Sequence, residues 1–128
     1  MLKLEVLKDK AMDAQNKQLL LKANEAVTKG DNEGFLACCT DDVAWEFVGE
    51  RILRGKEEVR EYMEATYVEP PKFMVEDLIV ADDFVTAIGK ISMKDGNGKM
   101  IDYSYCDVWR FRDGKMAGLK AFVIETPS

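Results

Sequence analysis

Apolar and polar positions recur with two periods along this 128-residue chain, helical in the first half and two-residue in the second. From Met12 to Lys29, Leu20, Ala23 and Val27 repeat at helical spacing with Leu19 and Ala26 beside them, and Gly30 ends the stripe. Asp31 is placed to cap a second, shorter helix in which Phe35, Leu36 and Cys39 face one side, before Asp41-Asp42 ends it. Val43–Phe47 alternates, Gly49 permits a turn and Arg51–Arg54 follows, which predicts a short strand pair. Gly55 opens a third helix: Val59, Tyr62, Met63 and Thr66 share one face, Glu57, Glu58, Arg60, Glu61 and Glu64 make a solvated one, and Pro70-Pro71 stops it.

Beyond the prolines the runs Phe73–Ala81, Phe84–Met93, Met100–Phe111 and Lys115–Glu125 alternate, with Asp82-Asp83, Asp95-Gly96-Asn97-Gly98 and Arg112-Asp113-Gly114 as turns between them. Helices followed by an antiparallel meander predict an α+β fold in one domain, residues 1–128, without repeats or linkers. Residues 1–11, charged and weakly patterned, read as a loose N-terminal arm or a helical lead-in.

Alternation puts Tyr103, Tyr105, Asp107, Trp109 and Phe111 on one face of their strand, so a carboxylate sits among aromatic rings. Such an acid is either structural, satisfied by a hydroxyl or a basic partner, or desolvated, with a raised pKa that suits it to proton transfer near neutral pH. The opposite face carries Ser104, Cys106 and Val108, and the last strand offers Leu119, Ala121 and Val123 on one side and Phe122 and Ile124 on the other. Both sheet faces are therefore apolar, which predicts helices over one and a second copy of the chain over the other, a homodimer through the outer sheet face.

Composition narrows the chemistry. With 24 acidic against 18 basic residues the net charge is −6, and no Lys/Arg block interrupts it, which argues against nucleic-acid or anionic-membrane partners. The chain has no His, which removes His-based zinc sites and every Ser-His or Cys-His nucleophile. Cys38, Cys39 and Cys106 suit neither a disulfide framework nor a metal knuckle and read as reduced thiols. No phosphate-cradling glycine loop, EF-hand or serine elbow occurs, so neither metal nor cofactor is expected. Met12, Met63, Met74, Met93, Met100 and Met116 read as core or pocket lining. No apolar run is long enough to span a bilayer and the start lacks a secretion signal, so a cytoplasmic location is expected.

Lys29-Gly30-Asp31, Phe35-Leu36, Asp41-Asp42-Val43-Ala44-Trp45, Gly49, Arg54-Gly55-Lys56-Glu57-Glu58-Val59 and Asp107-Val108-Trp109-Arg110-Phe111-Arg112-Asp113-Gly114-Lys115-Met116 occur in the order of a known family. In this succession the chain resembles the SnoaL-like branch of the nuclear transport factor 2-like superfamily, over nearly its whole length. The resemblance implies a cone-shaped α+β barrel, with three N-terminal helices packed in the concave face of a strongly curved, mostly antiparallel sheet and a pocket inside. Ketosteroid isomerase and the polyketide cyclases belong to that superfamily. Asp107 falls where the isomerase keeps its protonated oxyanion-hole acid, whereas Ala23 stands near its tyrosine and Phe47 or Glu46 near its base.

What the resemblance implies is a small hydrophobic ligand, bound without a cofactor and open to isomerase- or cyclase-like chemistry on a carbonyl compound; the alternative is a non-catalytic binding or accessory protein. Asp107 and Tyr105 are the candidate catalytic residues. Tyr62 and Tyr103 are further hydrogen-bond donors, Trp45, Phe47, Trp109, Leu119 and Val123 the apolar wall, and Ala87 and Gly89, with Ile91, the residues that leave room.

Overall fold

The two periods resolve into three helices and one six-stranded sheet in the computed structural model, which describes residues 2–127. In chain order the elements are α1 (Leu2–Thr28), α2 (Asn32–Leu36), β1 (Cys39–Phe47), β2 (Arg51–Arg54), α3 (Gly55–Thr66), β3 (Lys72–Ala81), β4 (Phe84–Lys94), β5 (Met100–Arg112) and β6 (Lys115–Glu125). Because α1 starts at Leu2, residues 2–11 are a helical lead-in and not a loose arm. None of the described helices is long and apolar enough to cross a membrane.

Gly30, at φ 78°, stops α1, and the Asp31 amide donates back to the Ala26 carbonyl at 2.8 Å. The Asp31 carboxylate then accepts the Gly34 amide at 2.9 Å and caps α2. Asp31→Ala is therefore expected to lower stability by about 1 kcal/mol in chemical denaturation, and an unchanged midpoint would refute the cap. α2 ends at Leu36, before the expected Asp41-Asp42 stop, because the chain has already joined the sheet at Cys39. Residues 40–43 bulge between the Cys39–Met116 and Ala44–Gly118 pairs, and the exposed Asp41 and Asp42 pair with Lys56 and Arg112.

The sheet order is β2-β1-β6-β5-β4-β3. All neighbours are antiparallel except β1 and β6, which run parallel, and the curved sheet ends at β2 and β3 without closing into a barrel. Asp82 (φ 54°) and the pair Asp113 (φ 52°) and Gly114 (φ 75°) adopt the left-handed conformation that tight hairpins require. In the core, Leu20, Ala23 and Val27 of α1, Phe35 and Leu36 of α2, and Val59 and Met63 of α3 pack against Val43, Val85, Trp109, Phe111 and Leu119 of the sheet. Each of the Val, Leu, Phe and Met side chains among them contributes about 2 kcal/mol by leaving water. The acidic face of α3 is exposed as its spacing predicts. Of the methionines, Met63 and Met116 are buried and Met93 packs against the core, but Met12, Met74 and Met100 are exposed; single methionines carry no period that would separate the two cases.

Candidate functional site

Asp107 lies in the middle of β5, with Ala87 of β4 directly across on one side and Ala121 of β6 on the other. Both neighbours offer only a methyl group, so neither strand supplies a hydrogen bond to the carboxylate. Burial alone raises its pKa from 3.8 to about 7, with no hydrogen bond or charge among the described residues offsetting the effect. At neutral pH the group therefore populates its acid and base forms in comparable amounts.

The side chain faces a cavity of about 240 Å³, small enough to suit a ligand of one or two rings. Seven of the ten sequence-predicted pocket residues line it with Asp107: Trp45, Phe47, Tyr62, Ile91, Tyr103, Trp109 and Val123. Trp45 and Phe47 stack at 5.5 Å, and Tyr62 leans on them at 5.5 and 5.0 Å, which fixes one aromatic wall. The other three do not reach the cavity. Ala87 and Leu119 sit in the packed core, and Gly89 lies under Tyr105, because the concave face is part cavity and part filled core.

Tyr105 also lines the cavity, but its hydroxyl is buried without a hydrogen-bond partner, 2.9 Å from where a Cβ on Gly89 would stand. Burial, then the nearby charges of Asp107 and Glu76, pushes this phenol up to about 12, so it stays protonated. Tyr67 is one of the lining residues that sequence reasoning does not single out as such, with Asn24, Phe35 and Phe73. It caps the C-terminus of α3, its amide donates to the Met63 carbonyl at 2.8 Å, and its ring meets Tyr62 edge-on at 5.9 Å. Burial, followed by the charges of Tyr62 and Asp107, holds its phenol well above the usual range, and it lines the same cavity as Asp107. The signal for it was present: Val59, Met63 and Tyr67 repeat every four residues along the inward stripe of α3. Glu50, in the β1–β2 turn, also lines the cavity and carried no pattern.

Other chemistry is poorly served. No group of three or more Cys, Asp or Glu among the described residues is arranged to hold a metal ion. Burial pushes the Cys39 thiol up to about 12, away from the thiolate a nucleophile requires.

The family model for the SnoaL-like domain matches residues 20–119. No curated protein matches the chain. Among solved structures, an NTF2-like protein from Cytophaga hutchinsonii is similar at 22% identity and TM-score 0.71, over 88% of this chain and 99% of that one. SalBIII, an epoxide hydrolase/cyclase-like enzyme of pyran ring formation in the polyether salinomycin, is similar at 21% identity and TM-score 0.80, over 88% and 93%. The Δ5-3-ketosteroid isomerase of a Mycobacterium species is similar at 17% identity and TM-score 0.76, over 88% and 98%. At these identities the likeness is one of fold.

Proposed function

This chain belongs to the SnoaL-like domain family of the nuclear transport factor 2-like superfamily, and on that premise we propose that its cavity binds a small, largely apolar molecule on which Asp107 acts as general acid and base. The observation that carries the reading is a carboxyl group facing an aromatic cavity with no protein partner and a pKa of about 7. As carboxylate, Asp107 takes a proton from the carbon next to a substrate carbonyl; as carboxylic acid it returns that proton to another atom of the same molecule, which completes an isomerisation or ring closure without a cofactor. The cyclase-like and isomerase activities that two structurally similar proteins are named for, and the Tyr67 side chain in the same cavity wall as Asp107, support this assignment.

A second reading, binding without turnover, is favoured by the enclosed hydroxyl of Tyr105, which leaves the other catalytic candidate out of a ligand's reach. Protein taken directly from cells and analysed by mass spectrometry for a retained small molecule separates the two. The recovered compound raises Tm in both cases. Conversion of it, reduced about a hundredfold or more by Asp107→Asn, marks the enzyme, and conversion unaffected by Asp107→Asn refutes the role.

The working unit in this proposal is a homodimer joined through the outer sheet face, where Ile52, Phe84, Phe122 and Ile124 are 40–69% exposed. Light scattering at micromolar concentration is expected to give twice the 14.5 kDa chain mass, and a monomer would overturn the assignment. The three free cysteines support a reducing, cytoplasmic setting.

A further inference from the structure

Aromatic rings dominate the cavity wall, and its charged groups are both carboxylates. Trp45, Phe47, Tyr62, Tyr67 and Trp109 stand together there, and Tyr62 meets Phe47, Trp45 and Tyr67 at 48°, 67° and 77°, so the rings of the cluster are not stacked in one plane. Ring faces are the negative ends of the aromatic quadrupole. Asp107 and Glu50 add two carboxylates, and the wall contains no Lys or Arg among the described residues. One cation already rests on this cluster from the start of β2: the Arg51 guanidinium carbon lies 5.1 Å from the centre of the Tyr62 ring. The surroundings extend the same sign, since burial and then the charges of Glu125, Asp95 and Glu50 raise the Tyr103 phenol at the edge of the wall.

We infer that the cavity takes a ligand bearing an organic cation, an alkylammonium or quaternary ammonium group seated among the aromatic rings with Asp107 as its counter-ion. This rests on the reading of the cavity as a ligand site and adds the chemical class of the ligand. A carboxylate set between two alanines has neither hydrogen bonds nor a positive partner, and an ammonium group supplies the charge it lacks. An anionic ligand of the same size meets two carboxylates in the wall, and the nearby cation, Arg51, rests on the Tyr62 ring without lining the cavity.

The test uses the full chain at pH 8, where Asp107 is a carboxylate, with the fluorescence of Trp45 and Trp109 reporting binding. The probes are phenyltrimethylammonium, its neutral isostere tert-butylbenzene, and benzoate. The cation is expected to bind about tenfold or more tightly than the isostere, with benzoate weakest. Asp107→Asn is expected to erase that preference while tert-butylbenzene still binds, which also shows that the variant retains its cavity. If tert-butylbenzene binds as well as the cation to the unaltered chain, the inference is overturned and the apolar ligand site stands. A preference that survives Asp107→Asn overturns the part given to Asp107. Binding of none of the three overturns the inference and the ligand site together.

Discussion

Asp107→Asn is expected to stabilise the protein above pH 7 and to leave it nearly unchanged at pH 4. Burial raises the folded-state pKa of Asp107 from 3.8 to about 7, so between those values the folded protein holds a proton that the unfolded chain has already released. Stability therefore falls as pH rises through this window, and above it the folded state carries the full cost of a desolvated carboxylate. A displacement of that size corresponds to about 4 kcal/mol. Asparagine keeps the shape and never ionises. The difference between variant and unaltered chain should thus grow from near zero at pH 4 toward that figure at pH 8, on the order of 10 °C in Tm for a domain of this size. Parallel melting curves across the range would contradict the raised pKa, and with it the acid-base role. The same cost explains why such a group is informative: a carboxylate that weakens the fold is retained for something other than folding.

Much of this site could be read from alternation alone. Tyr103, Tyr105, Asp107 and Trp109 share the inner face of β5 because strand side chains alternate, and Trp45 and Phe47 join them by the same rule on β1. The hairpins were equally legible, since Asp82, Asp113 and Gly114 are residues that accept the left-handed backbone their turns demand. Periodicity assigns a face, however, and says nothing of depth along it. Ala87, Gly89 and Leu119 share the correct face but are covered by neighbouring side chains and strands, so packing by neighbours distant in sequence decides what is cavity and what is core. The parallel pairing of β1 with β6 joins segments some seventy residues apart and has no local signal. The early end of α2 follows from that pairing, which draws Cys39 into the sheet and leaves Asp41 and Asp42 on a bulge. Tyr67 was missed for a different reason: it follows the last turn of α3, where the helical stripe still applies but the helix itself has stopped.

Gly89→Ala carries the other large expected effect, through a close approach of two strands. A Cβ at this position would stand 2.1 Å from the Met74 carbonyl oxygen and 3.0 Å from its carbon, both backbone atoms of β3. Backbone cannot rotate away as a side-chain tip can, so β3 must separate from β4 locally. The strain concentrates where the β3–β4 register already shifts, between Val75 and Asp77. A loss of about 3 kcal/mol is expected, typical of a forced overlap in a packed interior. Gly118→Ala is the matched control: there the nearest atom to a new Cβ is 3.7 Å away, an ordinary contact, and the change should stay within about 0.5 kcal/mol. The effect at Gly89 should also reach the cavity. The Tyr105 hydroxyl lies 2.9 Å from the new methyl, and its ring packs edge-on against Phe73 in the cavity wall. Chemical denaturation of the two variants side by side, with ligand affinity measured on whichever fold, checks both steps. Equal tolerance at 89 and 118 would mean that β3 does not approach so closely, and that Tyr105 is held by something other than the missing side chain beneath it.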